Sequence, residues 1–270
     1  MSGLNGSHDE SHQGPLKISI ITVVRNNRDF VRQTIDSVVS QDYPRVEYIV
    51  IDGGSDDGTL DIIKAYDGRL AKWVSEPDAG IADAFNKGLA LSTGDYLLFL
   101  NSDDHLAAPN VVSRMAGAIE ERQYPDLIYG DCELIERQSG RYLYTASIEF
   151  SRRAFKMGGT LPHPSLFTQR SYFERHGLFD TSYRIAMDYE FLLRGALASR
   201  IEHVRFVVTK VRDGGVSTNS AQVVPEIISA LRKNRFIRTP IGACALAGYF
   251  KSRSMMRRLK EALNGSRSAR

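Results

Sequence analysis

The sequence predicts an α/β protein: a mostly parallel central sheet flanked by helices, then a mixed C-terminal portion and a basic helical tail. Three observations carry this. Short β-branched apolar runs alternate with segments of helical periodicity as far as residue 130, the pattern of βαβ units. Polar clusters follow three of those runs, and in open α/β sheets ligands sit beyond the carboxyl ends of parallel strands. Residues 231–270 carry eleven Lys or Arg against one acid, Glu261, so the tail is +10 while the remainder is −7.

Lys17 to Val24 (KISIITVV) is a buried strand by composition. Arg28 to Gln41 places Val31, Ile35, Val38 and Val39 on one helical face, and Pro44 closes that helix. Val46 to Asp52 is the second strand, broken by Gly53-Gly54. Thr59 to Tyr66 reads as a short helix and Ala71 to Ser75 as a third strand, with Trp73 expected in the core. Ile81, Ala84, Phe85, Gly88 and Leu89 recur at helical spacing, before a fourth strand at Asp95 to Leu100. Pro109 suits a first helical turn, with Val112, Met115, Ala116 and Ile119 facing inward, and Asp126 to Tyr129 is a fifth strand. Cys132 to Glu136 and Arg141 to Thr145 flank Ser139-Gly140, a hairpin pattern. An irregular stretch surrounds Leu161-Pro162-His163-Pro164; a helix is expected over 186–198 and a strand over 203–211.

No internal repeat or linker interrupts this, so three regions are expected: a flexible arm over 1–16, one domain over 17–220 and the tail over 221–270. The 42% apolar and 25% charged composition excludes disorder, collagen and a disulfide scaffold for the whole chain. The longest mostly apolar uncharged run, Thr239 to Phe250, falls short of the roughly 18–20 residues that span a bilayer. The polar N-terminus lacks the apolar stretch of a secretory signal. Two cysteines, Cys132 and Cys244, form no zinc pattern and fit a reduced, cytoplasmic setting.

The polar clusters are Arg25-Asn26-Asn27, Asp52 to Gly58 and Asn101-Ser102-Asp103-Asp104. Gly53 and Gly58 have P-loop spacing, but Thr59 stands where a lysine must reach the phosphates. The dinucleotide spacing G-x-G-x-x-G is missing after the first strand, which disfavours a nicotinamide enzyme. Asp103 and Asp104 are adjacent carboxylates after a buried strand, and a cation relieves their repulsion. Oxygen ligands suit Mg²⁺ or Mn²⁺, which commonly also bind a diphosphate. Each of these acids equally suits the cap of a tight turn, as Asp52 suits the Gly53-Gly54 turn.

Four segments, Ile20–Asn27 (IITVVRNN), Val50–Thr59 (VIDGGSDDGT), Ser75–Leu89 (SEPDAGIADAFNKGL) and Gly94–Asp104 (GDYLLFLNSDD), together resemble the family 2 glycosyltransferases of GT-A fold, over roughly 17–215. The similarity is to bacterial enzymes that build exopolysaccharide or lipopolysaccharide sugars. It implies a Rossmann-like central sheet and an inverting transferase that uses a nucleotide-activated sugar and a divalent metal. By the same resemblance Asp52 contacts the nucleotide base, with Val24, Arg25, Asn26, Asp83, Asp103 and His163 on the donor side. Asp103, assisted by Asp104, is the implied metal ligand; Asn101 departs from the usual D-x-D. Asp188, in Ile185–Arg194 (IAMDYEFLLR), matches the family's catalytic base. Asp188 and Glu190 cannot share a helical face, so one of the two faces the reacting centre, and Asp188 is the expected one. Gly214-Gly215-Val216-Ser217 is similar to the family's donor-closing loop.

The resemblance implies a UDP-sugar donor by default and a glycan or lipid-linked acceptor. Lys251, Arg253, Arg257, Arg258 and Lys260 alternate with Met255, Met256 and Leu259, which suits a peripheral contact with the inner face of an anionic membrane. No nucleic-acid motif accompanies that charge. The competing readings are an inactive sugar-nucleotide-binding protein of the same fold and a sugar nucleotidyltransferase; the latter would want a Gly-rich basic loop after the first strand, and Arg25-Asn26-Asn27-Arg28 has no glycine.

Overall fold

A computed structural model describes residues 14–215, 220–239, and 241, 242, 244, 246–248 and 250. Residues 1–13 of the expected arm, Val216 and Ser217, and the basic segment 251–270 lie outside the described residues.

Strand β1 (Ile18–Val24) is buried along its whole length, as its β-branched run requires. It pairs in parallel with β2 (Val46–Asp52) on one side and with β4 (Tyr96–Asn101) on the other. β3 (Lys72–Ser75) adds to β2, also in parallel. Trp73 lies on this outer strand and is half-buried rather than in the core, its indole N–H donating to Asp67. Helices α1 (Val31–Val39), α2 (Thr59–Lys64), α3 (Ile81–Leu91) and α4 (Val111–Glu121) complete the crossovers. Strand alternation divides the core in two. Ile21, Ile49, Ile51 and Phe99 pack with Phe85 of α3 on one face. Ile20, Val50, Leu98 and Leu100 pack with Val31, Ile35 and Met115 on the other. Gly88 lets α3 approach the sheet, since a Cβ there would lie 2.3 Å from Ile21.

Beyond β4 the sheet becomes mixed. Its order is β3-β2-β1-β4-β8 (Leu166–Gln169)-β6 (Leu127–Ile135)-β9 (Ile201–Arg212)-β5 (His105–Leu106), with β7 (Tyr142–Ala146) paired to β6. β8 inserts antiparallel between β4 and β6. This strand lies in the stretch expected to be irregular, because its four residues are too few to show a period. The hairpin of β6 and β7 forms with Ile135 opposite Tyr142. β9 runs parallel to β6, and its far end pairs with the two-residue β5. Helices α5 (Arg152–Phe155), α6 (Arg170–His176) and α7 (Met187–Leu193) occupy the connections. The helix predicted over 186–198 is therefore shorter, with turns following it.

Leu16, in the expected arm, is buried against the core. The last described helix, α8 (Ser220–Lys233), falls in the region assigned to the tail by charge, yet Ile227, Ala230 and Leu231 are buried in the core. One of its charged residues also holds the approach to α7: Glu226 accepts the backbone N–H groups of Arg184, Ile185 and Ala186 at 2.8–3.1 Å. Among the described residues, no helix is long and apolar enough to cross a membrane.

Candidate active site

The parallel register sets the carboxyl ends of three strands side by side: Val24 lies opposite Asp52, and Val23 opposite Asn101. The polar clusters after these strands hold one another. The Asn26 backbone N–H donates to Ser55 Oγ (2.8 Å), and Asn26 Oδ1 accepts from the Asp56 N–H (3.0 Å). Asn26 has φ 50°, a left-handed conformation that asparagine tolerates. The Asn27 side chain donates to Ser102 Oγ (2.8 Å), joining the first loop to the third. Arg25 is exposed beside Gly53, whose N–H donates to the Val24 carbonyl (2.8 Å).

Asp52 is fully buried and accepts from the Ser55 N–H (3.1 Å) and from Ser75 Oγ (2.6 Å). It continues the alternation on the side of Val50, away from Phe99. Asp83, expected on the donor side, caps its own helix: it accepts the Ala79 N–H (3.0 Å) and lies 3.6 Å from Lys87. Asp78 stands in the stretch just before that helix. Its carboxylate fills the space a Cβ at Gly53 would need, 2.1 Å from that position. An aspartate one loop away occupying a glycine's missing side chain leaves no trace in sequence spacing.

Asp103 and Asp104 separate sharply. Asp103 Oδ2 accepts from Arg137 Nη1 at 2.7 Å and stays partly exposed. Asp104 is 2% exposed; its two oxygens accept from Asn101 Nδ2 (3.0 Å) and the Arg212 N–H (3.1 Å). Burial, and then the neighbouring Asp103 charge, push its carboxyl up to about 7. Among the described residues no three His, Cys, Asp or Glu side chains group as a metal site. Mg²⁺ and Mn²⁺ are nevertheless often held by one or two carboxylates plus phosphate oxygens and water. Asp103 fits that role once Arg137 yields it. Asp104, expected as the assisting ligand, fits less well, since it is buried and each of its oxygens already accepts a hydrogen bond.

The acidic pair on α7 also separates. Glu190 is fully buried and bonded to Arg194 Nε (3.1 Å), Lys233 Nζ (2.9 Å) and Asn234 Nδ2 (3.3 Å). Asp188 points elsewhere, lining a cavity of about 10 Å³ with His163, Phe99, Phe179, Phe191 and Thr168. That is room for about one water, not for a sugar. His163 rests against Phe99 (5.8 Å) and Phe85 (5.6 Å), and among the described residues its buried Nε2 has no hydrogen-bond partner. Burial lowers the His163 pKa, with the Asp188 charge opposing. Phe99 is the link to the other acids, two residues before Asn101 on the same face of β4. The structure thus brings Asp188 and His163 together, and Asp52 and Asp103 to one strand edge, each held by separate partners.

A half-parallel sheet with acids gathered at its carboxyl edge defines an α/β protein of the GT-A type, and solved structures of that fold superpose on it. Residues 1–349 of S. aureus TarS in complex with UDP-GlcNAc match with a TM-score of 0.68 at 18% identity, over 87% of this chain and 71% of that one. The chain spans 43% of the full TarS chain. A mannosyltransferase of Pyrobaculum calidifontis in complex with GDP-Man and Mn²⁺ matches with a TM-score of 0.58 at 18% identity, over 95% of this chain and 81% of that one. Residues 19–177, more than half of the chain, match the profile of Glycosyl transferase family 2, and the chain belongs to that family. An uncharacterized glycosyltransferase of Mycobacterium tuberculosis (strain CDC 1551) is 35% identical over 204 residues, 75% of this chain and 77% of the relative. A PGL/p-HBAD biosynthesis glycosyltransferase of Mycobacterium bovis (strain BCG / Pasteur 1173P2) is 32% identical over 209 residues, 75% of this chain and 79% of the relative.

Proposed function

We propose that the chain is an inverting glycosyltransferase that moves a sugar from a nucleotide-sugar donor, a UDP-sugar by default, to a hydroxyl of a glycan or lipid-linked acceptor in bacterial surface polysaccharide synthesis. The observation that carries this reading is the division of labour among the acids. Asp104 and Glu190 are buried and fully bonded, whereas Asp103 stays partly exposed beside Arg137 and Asp188 lines a small cavity with His163 and Phe99. The relatives' names and the nucleotide sugars bound by the structural neighbours support a nucleotide-sugar donor.

In this reading Val24, Arg25, Asn26 and Asp52 take the nucleoside, Asp52 tightening the loop that carries Ser55. An acceptor hydroxyl is a poor nucleophile near neutral pH. Asp188 takes its proton as the oxygen attacks the anomeric carbon from the side opposite the leaving diphosphate, which inverts that carbon in one step. His163 closes the aromatic wall behind Asp188 and limits water there. Asp103 would hold Mg²⁺ or Mn²⁺ together with donor phosphate oxygens, and that ion when bound neutralises charge on the leaving diphosphate.

A thermal-shift panel of UDP- and GDP-sugars, with and without Mn²⁺, is the test. One donor is expected to raise Tm and to release nucleoside diphosphate on turnover. Release of pyrophosphate instead would favour the nucleotidyltransferase, and donor binding with no turnover on any acceptor would favour the inactive binding protein.

The basic segment 251–270 supports a peripheral contact with an anionic membrane from the cytoplasmic side. Leu246 packs in the core, so truncation before it would disturb the fold. The cleaner test replaces Lys251, Arg253, Arg257, Arg258 and Lys260 with Gln. The unsubstituted chain is expected to pellet with phosphatidylglycerol vesicles and the substituted one to remain in solution; equal pelleting would dismiss the contact.

A further inference from the structure

Two guanidinium groups meet beside Asp103. Arg137 stands in the turn after β6, and its Nη1 lies 2.7 Å from Asp103 Oδ2. Arg212, the last residue of β9, is 8% exposed. Its Nη1 donates to the Arg137 carbonyl (2.5 Å) and its Nη2 to Gln33 Oε1 (2.5 Å). Both guanidinium carbons lie over the ring of Phe30, at 5.0 and 4.4 Å.

The charges do not pair off. Both oxygens of Asp104 are taken by Asn101 and by the Arg212 backbone. Among the described residues the Arg212 guanidinium bonds a carbonyl and an amide oxygen and no carboxylate, and its buried Nε has no partner. A second guanidinium is thus held in a poorly solvated place, next to an arginine whose own carboxylate partner is Asp103. Two planar forks at a strand's carboxyl edge match a phosphate's oxygens, which arginine binds in bidentate fashion. The side chains of Arg137 and Asp103 are both partly exposed, so a ligand can reach the pair.

We propose that Arg137 and Arg212 form a binding site for the donor's diphosphate, Arg137 exchanging the Asp103 carboxylate for a phosphate oxygen. This deepens the donor reading above and rests on it. The exchange also frees Asp103, so that one motion opens the carboxylate and brings positive charge to the leaving group.

The test is calorimetric binding of UDP, GDP and inorganic pyrophosphate to the full chain, in chelator and with Mn²⁺. Arg137→Ala is expected to weaken binding about tenfold or more wherever binding is seen, and Arg137→Lys to recover part of it. Arg212→Lys, which keeps the buried charge, is expected to weaken it as well. Asp103→Asn is expected to tighten binding in chelator, and the gain to vanish in Asp103→Asn/Arg137→Ala. A gain that persisted in the double variant would be a general charge effect and would overturn the exchange. Affinity within twofold of the unsubstituted chain in Arg137→Ala overturns the proposal while leaving the donor site standing. Failure of both nucleotides to bind the unsubstituted chain in either condition removes the donor reading and this proposal with it.

Discussion

Asp188→Asn is expected to lower kcat by ~10²–10⁴-fold, the usual contribution of a positioned general base, and to leave donor affinity unchanged. Among the described residues the Asp188 carboxylate has one hydrogen bond, from the N–H of Tyr189 at 2.7 Å. Among the described residues it carries no ion pair, so its loss leaves no buried charge behind. Asparagine keeps the shape and forfeits roughly 0.3–1 kcal/mol of favourable charge near the start of α7. The variant should therefore fold, bind donor and fail at proton removal. Turnover within threefold of the unsubstituted chain would take Asp188 out of the reaction.

Glu190→Ala tests the neighbouring acid, and the expected effect is on stability. Burial by itself would raise the Glu190 pKa, but its bonds to Arg194, Lys233 and Asn234 outweigh burial and hold it below the ordinary value. Removing the buried member of such a network costs about 3 kcal/mol, a fall in Tm of roughly 6–12 °C for a chain of this size. The sign of the pH dependence follows. A lowered carboxyl pKa stabilises the fold fully above the unfolded value of about 4.3. That stabilisation is lost as pH falls through the folded value. The gap in Tm between the two chains should thus be widest near neutral pH and close in acid. An unchanged Tm at pH 7 would show that Glu190 does not tie α7 to α8. The opposite pairing of effects, lost turnover in Glu190→Ala and lost stability in Asp188→Asn, would exchange the roles of the two acids.

Their contrast marks the boundary of what the sequence could say. Two residues apart on a helix, side chains diverge by about 200°, so the sequence requires that Asp188 and Glu190 differ. It is α8 that assigns the roles, by bringing Lys233 and Asn234 to Glu190 and the Glu226 carboxylate to the backbone just before α7. The composition of 221–270 reads as a charged tail, because charge counts do not register that Ile227, Ala230 and Leu231 lie on one buried stripe. Asp103 and Asp104 present the same problem one residue apart. Their adjacency suggests a pair of ligands, whereas the fold buries one and leaves the other to an arginine 34 positions away.

The sequence by itself determined the parallel half of the sheet and the edge at which the polar clusters collect. Those depend on local periodicity, a property of neighbouring residues. It also carried the family, through four segments in order. The insertion of β8, the role of α8, the Asp78 carboxylate against Gly53 and the meeting of Arg137 with Arg212 were decided by the tertiary structure alone. Each joins residues far apart in the chain through packing and charge, and such contacts impose no spacing that a linear reading could detect.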